Sequence, residues 1–172
     1  MAYKNKKGFT LVELLIVLVI FGMVTAMAAP SFSSMVERNS LAAESNRLIG
    51  NFRLARSEAV KRGELVTVAG VGTHWQQGFQ IYANSDTNPG FDSTNDQIIR
   101  KESGLGEGIA LAGNANNISF ASNGTLDGAN SVTLYLCRIA DARRAIEITI
   151  NRIGRAESNE VKDTANCAGD QS

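Results

Sequence analysis

One stretch limits what this chain can become. From Phe9 to Ala29 it reads FTLVELLIVLVIFGMVTAMAA, apolar except for Thr10, Glu13 and Thr25. About twenty such residues wound as a helix cross the hydrocarbon core of a bilayer. Lys4, Lys6 and Lys7 precede the run, and the positive-inside rule keeps them on the cytoplasmic side. The expectation is a short leader over 1–8, a membrane helix over 9–30 and a domain over 31–172 on the far side of the membrane.

Glu13 is the informative exception. A charge in an apolar span costs about 2.5–3.5 kcal/mol on insertion scales. An ordinary secretory signal, cut after the small residues Ala26 to Ala29, gains nothing from that charge. A helix that must find another helix inside the membrane gains a partner for it.

Lys7-Gly8-Phe9-Thr10-Leu11-Val12-Glu13 resembles the prepilin signature of type IV pilins and type II secretion pseudopilins. The resemblance implies that a prepilin peptidase cuts between Gly8 and Phe9 and methylates the new amino-terminus. It also assigns Glu13 to assembly, its carboxylate attracted to the terminal amine of a neighbouring subunit. In a low-dielectric filament core such pairing offsets the desolvation of a lone carboxylate. Pro30 falls where the family carries a proline, and a proline inside a helix removes a hydrogen bond and kinks it.

Beyond Pro30 the polarity changes but the helical period persists. Leu41, Ser45, Leu48, Phe52, Ala55 and Ala59 advance in four- and three-residue steps along one face. Arg47, Arg53, Glu58 and Lys61 fall largely away from it. Gly63 is the expected stop, after Lys61 and Arg62, which suit the negative end of the helix dipole. The amphipathic helix is therefore placed at 31–62 and a β-rich region at 64–172. Six strands are expected there: 65–69, 79–82, 97–100, 118–120, 132–137 and 145–150. Val132, Leu134 and Leu136 alternate, as do Ile146, Ile148 and Ile150. Those two strands are expected to pair antiparallel across a turn near Asp141.

The order Trp75-x-x-Gly78-Phe79, Ile98-Ile99-Arg100, Asn123-Gly124 and Gly154-Arg155 resembles the GspH/FimT group of minor pilins and pseudopilins. That implies an α+β, pilin-like fold: a long N-terminal α-helix packed on antiparallel β-sheets. The implied role is a minor type IV pilin near the pilus tip, serving assembly and pilus-dependent motility or adhesion. Its partners are other pilin subunits through the N-terminal helix, the prepilin peptidase and the inner-membrane assembly machinery. Two alternatives are a type II secretion pseudopilin and a DNA-binding pilin of natural transformation.

The remaining chemistry is sparse. Cys137 and Cys167 are the two cysteines, without C-x-x-C spacing, and His74 is the one histidine, so no zinc set forms. In a domain that leaves the cytoplasm the two cysteines are expected to form one disulfide. His74 has neither an orienting partner nor a nucleophile motif around it, so no enzyme and no cofactor is expected. Asp86, Asn88, Asp92, Asn95 and Asp96 make loop 84–96 oxygen-rich, which invites calcium. Their spacing suits a solvated turn better.

Nucleic acid is the more serious rival. FimT-like uptake proteins carry Gly-Arg-x-Arg, where this chain has Gly154-Arg155-Ala156-Glu157, and Glu157 repels phosphate. Removal of residues 1–8 takes away three of the 17 basic residues and leaves a net charge of −3. Arg152 and Arg155 remain the candidate DNA contacts, with Arg138, Arg143 and Arg144 available to cluster beside them. Solvated arginines on strand edges are the preferred reading.

Overall fold

The structure is a computed structural model that describes residues 8–72, 75–85, 90–139, 145–162 and 167, with the side chains of residues 27–34 outside the description. It divides into two compact units, Met1–Asn39 and Ser40–Ser172. Helix α1 spans Leu11–Arg62 and contributes to both.

In the first unit every described side chain from Leu11 to Ala26 is exposed. A helix that is apolar all round has no inward face of its own. Among the described residues no helix is long and apolar enough to cross a membrane. The described side chains of the apolar run end at Ala26, short of the about twenty residues that a span requires.

The second unit holds the core. Leu41, Ser45, Leu48, Phe52, Ala55 and Ala59 are all buried, as their spacing predicts, and Ile49 joins them. The helix stops at Gly63, whose N–H donates to the Ala59 carbonyl at 2.9 Å. Among the described residues eight strands follow: β1 Leu65–Gly70, β2 Phe79–Asn84, β3 Gln97–Glu102, β4 Ile109–Gly113, β5 Asn117–Phe120, β6 Ser131–Arg138, β7 Ala145–Asn151 and β8 Ala156–Val161. They form two four-stranded sheets, ordered β3-β2-β1-β5 and β4-β6-β7-β8, with every pairing antiparallel.

The β6–β7 register confirms the alternation argument. Val132 faces Ile150, Leu134 faces Ile148 and Leu136 faces Ile146, and all six side chains are buried. The expected turn at Asp141 lies outside the described residues. One core joins these side chains to the buried face of α1 and to Val66, Phe79, Ile81 and Phe120. Trp75, in a short 3₁₀ turn over Trp75–Gln77, packs against Phe79 at 5.6 Å and Phe52 at 6.4 Å between ring centroids.

Two strands escape the sequence pattern. β4 reads IALAG, and its small residues give no alternation. β8 reads AESNEV; it is the last strand of its sheet, with Glu157 to Glu160 exposed, so backbone pairing with β7 alone defines it. Arg47 also departs from expectation. Its guanidinium lies 5.3 Å from the Phe79 ring centroid. It pairs with Glu44 and with Glu102, the latter at 3.1 Å, and donates to the Ser103 and Gly104 carbonyls. Burial alone would lower its pKa, but the Glu44 and Glu102 carboxylates raise it overall.

Candidate functional site

Two places gather the residues singled out by sequence. At the start of the chain, Gly8, Phe9 and Thr10 precede α1 without regular structure, and Phe9 is 78% exposed. Thr10 caps the helix: its hydroxyl accepts the Glu13 N–H at 3.2 Å, and its carbonyl accepts the Leu14 N–H at 3.2 Å. One donor that a helix start leaves open, the Glu13 N–H, is thereby satisfied, and the Leu14 bond is the first of the helical ladder. Glu13 stands exposed in the first turn, where a carboxylate suits the positive end of the helix dipole. The geometry offers a short accessible segment, then a carboxylate one turn into an apolar helix. Helix α1 is assigned through Pro30, whose side chain falls outside the described residues.

The second place lies in the Ser40–Ser172 unit, where two turns of one design meet. Residues 121–125 close through Gly124 N–H to Ala121 O at 2.7 Å and Ala121 N–H to Thr125 O at 2.9 Å. Residues 151–155 repeat this through Gly154 N–H to Asn151 O at 2.8 Å and Asn151 N–H to Arg155 O at 3.1 Å. Each needs its glycine in the left-handed region, at φ 79° for Gly124 and 75° for Gly154. The turns are joined by Leu126 N–H to Arg152 O at 3.0 Å. From α1, Arg56 Nε donates to Gly124 O at 2.8 Å. A Cβ placed on Gly154 would fall 2.2 Å from Gly124 O, so no other residue fits there. Asn123-Gly124 and Gly154-Arg155 are thus two halves of one junction. Their meeting point on Arg56 was not legible in the sequence, although the paired glycine motifs were the signal to follow.

Among the described residues, Arg138 does not gather with Arg152 and Arg155 as the nucleic-acid reading requires. Arg152 and Arg155 sit at the β7–β8 turn, and Arg155 pairs with Glu157 at 2.8 Å. Arg138 ends β6, whose first residue Ser131 faces Asn151, and it donates to Ser40 Oγ at 2.9 Å. It therefore lies about 20 Å along the sheet from that turn, at about 3.3 Å per residue. Arg143, Arg144 and His74 lie outside the described residues.

Cys137 and Cys167 form a disulfide across a sequence separation of 30, with Ala145, Tyr135 and Val161 packed around it. In the loop 84–96, Asp96 accepts the Ser85 N–H at 3.3 Å and the Asp92 N–H at 2.8 Å. Asp92 accepts the Thr94 N–H at 2.8 Å, and that backbone contact lowers its pKa. These carboxylates organise the turn itself. Asp86 and Asn88 lie outside the described residues. Among the described residues no group of three or more His, Cys, Asp or Glu is placed to hold a metal ion.

The model of the family described as type II transport protein GspH matches residues 44–154. The chain belongs to the GspH family. A second model, the prokaryotic N-terminal methylation motif, matches residues 3–29. Among solved structures the fold is similar to the type IV minor pilin FimU of Pseudomonas aeruginosa, with TM-scores of 0.63 and 0.60 in two crystal forms. The first form is 21% identical over 76% of this chain and 98% of that one. It is also similar to EpsH, a minor pseudopilin from the type 2 secretion system of Vibrio cholerae. There the TM-score is 0.54, with 14% identity over 70% of this chain and 96% of that one. The pilin-like α+β fold expected from sequence is therefore the observed one. This GspH-family chain is a subunit of the minor pilin or pseudopilin class. The GspH match ends on Gly154, so it takes in Arg56 and both glycines of the junction but not Arg155.

Proposed function

We propose that this GspH-family chain is a minor type IV pilin, cut between Gly8 and Phe9 and held in the inner membrane by residues 9–30. From there it is assembled into the pilus, at or near its tip, through α1. The carrying observation is an apolar helix start with no inward face, bearing Glu13 within a methylation motif. Extracted from lipid, those side chains find an equivalent apolar surroundings only among other helices. Glu13 then meets the amine at Phe9 of a neighbour, and the pair desolvates together. FimU, named a type IV minor pilin, supports the reading through its fold.

The family description, type II transport protein, favours a second reading as a secretion pseudopilin. One experiment separates them. Full-length chain and Glu13→Ala are expressed in the native cells, and sheared surface fibres are blotted. The expected result is wild-type chain in the fibres, with Glu13→Ala processed normally but reduced about tenfold or more, as for removing one partner of a buried ion pair. Absence of the wild-type chain from pili, with loss of secretion on its deletion, selects the pseudopilin reading. Normal incorporation of Glu13→Ala removes the assigned role of the carboxylate.

A further inference from the structure

Asn123-Gly124 is the one Asn-Gly pair in the sequence. Such a pair reacts with itself. The Gly124 nitrogen attacks Asn123 Cγ, and a glycine has no Cβ to hinder the approach. The new N–C bond closes a succinimide, and ammonia leaves with the proton that the Gly124 N–H gives up. Water then opens the ring at either carbonyl. One opening yields aspartate. The other yields isoaspartate, in which the main chain runs through the former side chain and gains a carbon.

The first of the twin turns withholds each participant. The Gly124 N–H, source of the nucleophile, donates to Ala121 O at 2.7 Å, which opposes loss of its proton. Asn123 Oδ1 accepts the Thr125 N–H at 3.0 Å and the Thr125 hydroxyl at 2.7 Å, so the amide under attack is tied to Thr125. Gly124 itself is clamped, because Arg56 Nε holds its carbonyl and Gly154 abuts it. Solvent is not what is excluded, since the Asn123 side chain is exposed. The protection is conformational. The second turn is the internal comparison. Asn151 Oδ1 accepts the Arg155 N–H there at 3.0 Å, but Ile153 precedes the glycine, so no reactive amide is present.

We propose that Asn123 is a conditional modification site, kept as asparagine while the Arg56–Gly124–Gly154 junction is closed and converted to aspartate or isoaspartate once it opens. An added main-chain carbon does not fit a turn packed against Gly154, so a converted chain cannot re-form the junction as it was. The change runs one way and records that the globular unit has been open. It needs no partner, and it holds whichever assembly the chain enters.

The test uses the full-length chain in detergent, incubated at mildly alkaline pH either folded or in denaturant. Conversion at Asn123 is followed by peptide mapping, with fragmentation locating the mass gain. The folded chain should convert about a hundredfold more slowly, as for the three hydrogen bonds that must break before reaction. Arg56→Ala should speed the folded chain by about tenfold. Thr125→Val, which loses the hydroxyl bond, should speed it severalfold, and Thr125→Ser should stay near wild type. Melting curves establish that each variant is folded during incubation, and a variant that is not is left out of the comparison.

A folded wild-type chain that converts at the denatured rate overturns the proposal. So do folded Arg56→Ala and Thr125→Val chains that both keep the wild-type rate, or Thr125→Ser converting as fast as Thr125→Val.

Discussion

The two ends of this molecule treat the same kind of side chain in opposite ways. Leu48 and Phe52 are buried by the chain's own sheets, at 0% and 1% exposure, whereas Leu15 and Ile16 on the same helix are 56% and 53% exposed. Propensity cannot explain the contrast, because both segments are helical. What differs is who supplies the other side of the contact. Residues 41–62 form a stripe, and a stripe needs one wall, which the two sheets provide. Residues 11–26 are apolar on every face, and such a surface needs an environment.

The comparison breaks if truncating either segment has the same effect. The largest loss of stability is expected for Phe52→Ala in the full chain in detergent, about 3–5 kcal/mol by chemical denaturation of the globular unit. Next comes opening the Cys137–Cys167 bond. By the chain-entropy model a loop of this length contributes about 3–4 kcal/mol, so Cys167→Ser should lower the melting temperature under non-reducing conditions. Adding reductant should shift wild type to match and leave the variant unmoved. The smallest effect is assigned to Leu15→Ala. It should change the stability of the globular unit by less than about 0.5 kcal/mol, as for a substitution outside any core. A destabilisation near that of Phe52→Ala would mean that residues 11–26 fold against their own chain after all.

Where an element carries its own signal, the sequence shows it. The buried face of α1, its stop at Gly63 and the pairing of β6 with β7 all follow from local spacing. β4 and β8 do not, because neither displays alternation. Ala110 and Ala112 are buried without being large, and β8 exists through ladder bonds to β7 that no local pattern encodes. The candidate site divides the same way. Gly8, Phe9 and Glu13 are recognisable because their chemistry is contiguous in the chain. The junction of Arg56, Gly124 and Gly154 depends on residues far apart in sequence, and only the folded backbone brings Gly154 against Gly124 O. Arg47 is instructive for the same reason. Helical spacing puts it off the core face, but a long side chain swings back over Phe79 to reach Glu102.

The outermost strand of the second sheet has one further effect. Open strand borders invite zippering with any passing copy. The border here displays Glu157, Ser158, Asn159 and Glu160 in succession. Two such borders brought together would oppose carboxylate to carboxylate, and the encounter would be repulsive. Crowding can then raise the local concentration of these domains without fusing them, leaving their partnership to more selective surfaces.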